Sequence, residues 1–192
     1  MKPIVDSLKA FTWSDRHEAH TQAACLFDGL RPEEVLAQVR DDLSIEVERS
    51  VEKTTHYKWF LGEGSERSFE LWLHEYKPSN LRRTGHATVA HNHRFWLTSL
   101  ILRGGFSDTR YARVEGEGDA HIEPIRRRPM EAGNTMVIGP DEIHSLSDLR
   151  DGTISVVVQS RPLRSFSEVF ENGEVRRYSD LEAKLAELRA SL

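Results

Sequence analysis

The stretch HNHRFWLTSLILRGG, residues 91–105, and its counterpart GNTMVIGPDEIH, residues 133–144, decide how this chain is read. In the first, His91 and His93 stand at i and i+2 just ahead of the run LTSLIL, residues 97–102, whose composition favours a strand. Positions i and i+2 of a strand share a face, so two imidazoles can reach one ion from the same segment. The second stretch reads as a short strand, a turn at Gly139-Pro140, and another strand with His144 just beyond the turn. Neutral imidazole is a good ligand for Fe(II), Zn, Ni, Cu and Mn to differing degrees. His-x-His alone also arises as two unrelated surface or core side chains, so the pair by itself leaves both readings open, and His144 on a separate segment is a candidate third ligand.

Outward from these stretches, residues 45–160 read as strands. Phe69, Leu71 and Leu73 alternate with Glu70, Trp72 and His74, a period of two that puts His74 toward solvent or a partner. The run ISVVV, residues 154–158, is another strand candidate, and turns fall at 78–80, 104–105, 116–118, 139–140 and 151–152. Many short strands with frequent turns predict a sandwich or barrel. Residues 14–43 read as a helical cover: Ser14 can cap a helix that runs to about residue 27 and ends at Gly29, and Pro32 starts a second with Val35, Leu36 and Val39 as its apolar stripe. At the other end, Ser179 can cap a helix over 179–192, where Leu181, Leu185 and Leu188 recur at helical spacing. The plan is one domain, 1–192, mainly β.

The bulk numbers narrow the function. The 192 residues carry 26 Lys and Arg against 31 Asp and Glu, a net charge of −5, so no basic excess points to nucleic acid. The short run Arg126-Arg127-Arg128 reads as a solvated turn. Cys25 is the single cysteine, which excludes an intrachain disulfide and a cysteine-rich metal site and suits a reducing compartment. No apolar run of membrane-spanning length occurs, and the first twenty residues lack an apolar stretch of leader length. The expectation is a cytoplasmic protein with no membrane or nucleic-acid partner.

The two quoted stretches resemble the paired motifs of the cupin superfamily: Gly85, five residues, then His91-x-His93 and Gly104 in the first, and Gly133, a short apolar strand, Pro140 and His144 in the second. The resemblance implies a double-stranded β-helix, or jelly-roll, barrel. Where cupins often add a Glu ligand after His-x-His, this chain has Leu97 and Thr98, and Glu142 stands in the turn, so the implied shell is three histidines without an acid. Three neutral ligands leave the full charge on a divalent ion and several positions open, which suits an anionic bidentate substrate with O2 beside it.

Three-histidine cupins include the thiol dioxygenases, of which cysteine dioxygenase is the best-known type, and the chain is similar to that family in its helical N-terminal cover, in His56-Tyr57-Lys58 ahead of the strand at 69–73, and in the strand that ends at Pro162. The resemblance implies Fe(II), with Zn, Ni or Mn as alternatives, and O2 as co-substrate. The family's Ser-x-His-x-Tyr series falls on Ser155, Val157 and Gln159, so only the serine is kept and Gln159 becomes the polar candidate on that strand. The family's carboxylate-binding arginine falls near Lys58, a point charge rather than a planar fork. Pairing of exposed sheet edges in cupins also implies a homodimer.

Other candidates follow from strand parity. Phe95, two residues past His93, shares its face and would wall the pocket, while Trp96 would turn to the helical cover. Arg94 is expected to point outward into a salt bridge. Arg110 and Tyr111 have opposite facing, so at most one enters the cavity; Tyr111 is a candidate proton donor there, or a core tyrosine with its hydroxyl satisfied at the rim. Lys58, Arg82 and Arg83 are candidates to hold a carboxylate. Together these point to a mononuclear non-haem Fe(II) oxygenase acting on a small anionic metabolite, amino-acid or thiol-acid like. The alternatives are a metal-dependent isomerase or lyase that uses no O2, and a non-catalytic metal- or small-molecule-binding cupin.

Overall fold

A computed structural model describes residues 1–41, 45–82, 86–114 and 121–179. Three helices come first: α1 (Lys2–Lys9), α2 (Arg16–Asp28) and α3 (Pro32–Asp41). Twelve strands follow: β1 (Glu46–Glu52), β2 (His56–Glu63), β3 (Phe69–Tyr76), β4 (Ala90–His91), β5 (Leu97–Arg103), β6 (Gly105–Arg113), β7 (Ile122–Glu131), β8 (Thr135–Ile138), β9 (Ile143–Ser147), β10 (Ile154–Ser160), β11 (Phe166–Glu171) and β12 (Glu174–Ser179). They form two six-stranded sheets, ordered β1-β2-β3-β10-β5-β8 and β12-β11-β4-β9-β6-β7, with antiparallel pairing throughout the described residues. This is the double-stranded β-helix of the cupins, with helices laid on one side.

The core has three layers, and period-two alternation assigns each strand residue to one of them. Between the sheets, Tyr76, Leu97, Ile101, Met136, Ile138 and Val157 from the first meet Phe106, Met130 and Leu146 from the second. On the outer face of the first sheet, Phe69, Leu71, Leu73, Leu100, Val156 and Val158 pack under Ile4, Leu8, Ala23, Phe27 and Val35 of the helices. Each fully buried Leu or Phe in this layer contributes about 1.5–3 kcal/mol. A small third cluster, Ala90, Ile143 and Phe170 with Tyr111, Ile122 and Val175 against it, lies on the outer face of the second sheet.

The helical cover differs from the sequence expectation in two ways. Asp15, not Ser14, caps α2, its carboxylate accepting from the Glu18 backbone N–H at 3.0 Å. α1 precedes the expected start of the cover; its two turns offer only Ile4, Val5 and Leu8 as an apolar face, too short a run to declare itself. Trp96 does turn to this cover, its ring 5.1 Å from His17 and 6.3 Å from His20. The strands also run past residue 160: β11 and β12 form a hairpin across Asn172-Gly173, both with positive φ (55° and 76°), the geometry of a two-residue turn. The helix expected over 179–192 falls outside the described residues, apart from Ser179 at the end of β12. No helix among the described residues is long and apolar enough to cross a membrane.

Candidate metal centre

β4 is only two residues long, yet it sits between β11 and β9 with His91 in register with His144 and with Val169. Residues directly opposite on neighbouring strands share a face, so this register points both imidazoles into the space between the sheets. Past the end of β4 the chain is held by side chains. Asn92 donates to the Glu168 carboxylate at 3.0 Å, and its own amide oxygen accepts the Glu168 backbone N–H at 2.7 Å. Arg164 donates to the carbonyl of His93 at 2.8 Å and to that of Pro140, tying the His93 segment to the turn that leads to His144. His93 then lies with its Nε2 2.9 Å from the Nε2 of His144, its ring stacked on Phe95 at 5.5 Å.

The tautomers follow from the outward hydrogen bonds. His91 Nδ1 lies 2.8 Å from the carbonyl of Val89, which can only accept, so Nδ1 carries the proton and Nε2 presents a lone pair. His144 Nδ1 lies 2.9 Å from Asp108 Oδ1, with the same consequence. Burial lowers the His144 pKa, against the hydrogen bond and charge of Asp108, which favours the neutral, ligating form. Asp108 is itself buried, and burial pushes its carboxyl up, but the hydrogen bond from His144 and the Arg110 charge outweigh this and hold it below the ordinary value. Arg110 bridges Asp108 (2.7 Å) and Glu142 (2.9 Å), and Glu142 also accepts the Gly139 N–H at 2.5 Å, so Glu142 is a turn residue.

This donor set fits a divalent ion. One potential ligand nitrogen from each of His91, His93 and His144 lies within 4.8 Å of the others. Two nitrogens at right angles on one ion, each about 2.1 Å away, stand roughly 3.0 Å apart, close to the separation of the His93 and His144 pair. Two inward lone pairs, each fixed by an outward hydrogen bond from the same ring, form the arrangement in which an outer partner orients a metal-bound imidazole. Asp108, Asn92 and Glu168 were not identified from the sequence. Asp108 sits at strand parity with Arg110, and only the β6–β9 register shows that this face meets His144.

A cavity of about 410 Å³ opens beside His93. Lys58, His74, Arg94, Phe95 and Gln159 line it, together with Lys53 and His56, and no carboxylate is among the described residues that line it. Lys58 donates to Gln159 Oε1 at 3.2 Å and rests 4.2 Å over the Trp72 ring; burial, with Lys53 and Arg94 nearby and Glu70 opposing, pushes its pKa down to about 8. His74 faces this cavity and not solvent, with Nε2 buried and unpartnered and its ring 4.6 Å from His56. β3 is covered on both faces, so its apolar set lies under the helices and its polar set lines the interior. Arg94 likewise borders the cavity, against the expectation that it points away.

The other candidates are placed elsewhere. Tyr111 is on the outer face of the second sheet, its hydroxyl 3.0 Å from Ser145 Oγ, among Ala90, Ile143 and Phe170, and is not brought to the histidines. Arg82 is engaged at a turn, donating to the Leu149 carbonyl at 2.6 Å and to Asp151 at 3.2 Å, and lines neither this cavity nor its neighbour. Arg83 lies outside the described residues.

Fold and site together define a class: a cupin-type double-stranded β-helix with a three-histidine site able to hold a metal ion. No protein-family model matches the sequence, and no curated protein does. Among solved structures the chain is similar in shape to the DMSP lyase DddQ from Ruegeria pomeroyi, at 16% identity and TM-score 0.39 over 59% of this chain and 50% of that one, so the match spans half the lyase. It is also similar to an uncharacterized protein with a double-stranded β-helix domain from Klebsiella pneumoniae (14%, TM-score 0.38, 64% of this chain and 90% of the other). KdgF from Halomonas sp. aligns at 14% identity and TM-score 0.42, over 62% and 94%. The fold assignment rests on the sheets themselves.

Proposed function

We propose that this chain is a metal-dependent enzyme acting on a small anionic metabolite, and that the reaction is an oxygenation with Fe(II) held by His91, His93 and His144. The observation that carries this reading is the cavity beside His93, with Lys53, Lys58 and Arg94 in its lining and no carboxylate among the described residues that line it. Among the described residues, the groups an anion would meet there are cationic, neutral polar and apolar. When bound, the ion would supply Lewis acidity and, as iron, the electrons for oxygen chemistry. The protein's own part is positional. Lys58, steadied by Gln159 and the Trp72 face, would hold a carboxylate, and Phe95 would wall the reacting end from water. An amino acid or thiol acid matches this set.

A second reading is favoured by Lys58 itself. An amine pushed down to about 8 can take up and release protons near neutral pH, which a lyase or isomerase requires and an oxygenation does not. An oxygen electrode separates the two. Iron-loaded, untagged protein is tested against a panel of amino acids, thiol acids and other small carboxylates. Oxygen uptake with at least one of them, with a higher KM in Lys58→Met, is the expected result. Turnover of an acid without uptake favours the second reading. Absence of turnover and of binding for every acid removes both.

A further inference from the structure

A second cavity, of about 500 Å³, shares Lys58, Arg94, Phe95 and Gln159 with the one beside His93, and the two meet at those side chains. Beyond that junction its lining adds Arg67 and Arg161, with Pro162 as an apolar wall and Glu70 as the single acid among the described residues there. Arg161 is an exposed side chain with a fixed attitude: its Nε donates to the Arg67 carbonyl at 3.0 Å. That bond leaves the two terminal amines of the guanidinium as a fork, the geometry that takes a carboxylate or phosphate bidentately. The backbone that accepts it is unusual, because Glu66 and Arg67 both hold positive φ (51° and 56°) without being glycine. Glu70, the acid that would repel an anion, accepts from the Trp72 indole at 3.2 Å. A one-headed small acid beside His93 would leave this outer chamber and its oriented arginine without a role.

We propose that the substrate is a two-headed anion: one head beside His93 and Lys58, the other, a carboxylate or phosphate, held in the outer chamber by Arg161 with Arg67. This rests on the reading of the inner cavity as an anion-binding enzyme site and adds the length and outer charge of the ligand. The apolar walls at Phe95 and Pro162 suit a hydrocarbon spacer between the heads.

Isothermal titration of the protein as purified, with glutarate, adipate and suberate against butyrate, hexanoate and octanoate, tests it. At least one diacid should bind ten-fold or more tightly than the monoacid of matched chain length. Arg161→Gln should erase that gain while leaving the monoacid Kd within two-fold. Arg126→Gln, which removes an equal charge from the exposed strand β7, should leave the gain in place. The proposal is overturned if no diacid outbinds its monoacid, if the gain survives Arg161→Gln, or if Arg126→Gln erases it equally, which would make it a bulk charge effect. Adding 6-phosphonohexanoate ranks the outer group: tighter binding than the diacids supports a phosphate there, weaker binding a carboxylate. If the monoacids bind and the diacids gain nothing, this inference alone falls; if no acid of any length binds, the anion reading of the inner site falls with it.

Discussion

Replacing Asp108 by Asn changes the charge behind His144 and almost nothing in shape. Asp108 is 1% exposed, with Oδ1 2.9 Å from His144 Nδ1 and Oδ2 2.7 Å from Arg110 Nε. An amide can keep one of these bonds. If its oxygen faces His144, its NH2 faces the Arg110 N–H, donor against donor. If it is turned the other way, His144 loses the acceptor that fixes its tautomer. Loss of an outer partner of a metal-bound histidine typically costs 10–100-fold in metal affinity, about 1.4–2.8 kcal/mol at 1.4 kcal/mol per decade. Because neither orientation of the amide serves both neighbours, the upper half of that range is expected. Competition of Zn(II) against a chromophoric chelator measures it, and thermal unfolding of the metal-free variant measures the separate cost of the broken buried pair. Glu142→Gln, which removes the other, more exposed partner of Arg110, should shift the zinc Kd by less than about three-fold, within the range of exposed ion pairs. Zinc binding within two-fold of the parent in Asp108→Asn, with His144→Ala abolishing it, would refute the view that Asp108 tunes the site.

Further outcomes follow from the same geometry. His91→Ala should abolish stoichiometric metal binding, as read by metal analysis after dialysis; a full equivalent retained would show that the ligands lie elsewhere. His20 is fully buried, with Nδ1 2.8 Å from Thr98 Oγ1 and Nε2 without a partner, and burial pushes its pKa from 6.5 down to about 3. The unfolded chain therefore binds the proton first: the stability is fully present above pH 6.5 and is lost as pH falls toward 3, by about 2 kcal/mol at pH 5. Urea unfolding at pH 7.5 and 5.0 should show a smaller loss in His20→Leu than in the parent, and equal losses would exclude His20 as the source. At Gly105, a Cβ would stand 2.3 Å from the Met130 carbonyl oxygen, whereas at Gly133 it would meet nothing within 4 Å, although both have positive φ (156° and 88°). Gly133→Ala should cost about 1–2 kcal/mol, the ordinary price of a left-handed alanine, and Gly105→Ala distinctly more, read by denaturant midpoints.

The parts of this molecule legible in the sequence are those set by a period. The alternation of β3, the β-branched and apolar runs of β5 and β10, the start and Gly29 stop of α2 and the apolar stripe of α3 each announce an element, and the i, i+2 spacing of His91 and His93 announces a shared face. The β11–β12 hairpin carries a local signal as well, Asn172-Gly173 between two strand-like runs, although it lies beyond the 45–160 span expected to hold the strands. Period alone does not say which face of a strand is inside. In a two-layer sheet protein the apolar set points in and the polar set out, and that rule sends His74 to solvent. Here a helical layer lies over the first sheet, so the apolar set of β3 is spent on the helices and the polar set, His74 with Glu70, faces the other sheet. Lys58, in register with His74, is turned inward by the same inversion. The inward polar face that breaks the simple rule is also the wall of the cavity. Residues whose polarity contradicts a buried position on such a strand are therefore the ones to take as site candidates once a covering helix is recognised. Asp108 fits this too: it is a charged residue on the inner face of β6, between Phe106 and Arg110, whose place beside His144 only the pairing of β6 with β9 reveals.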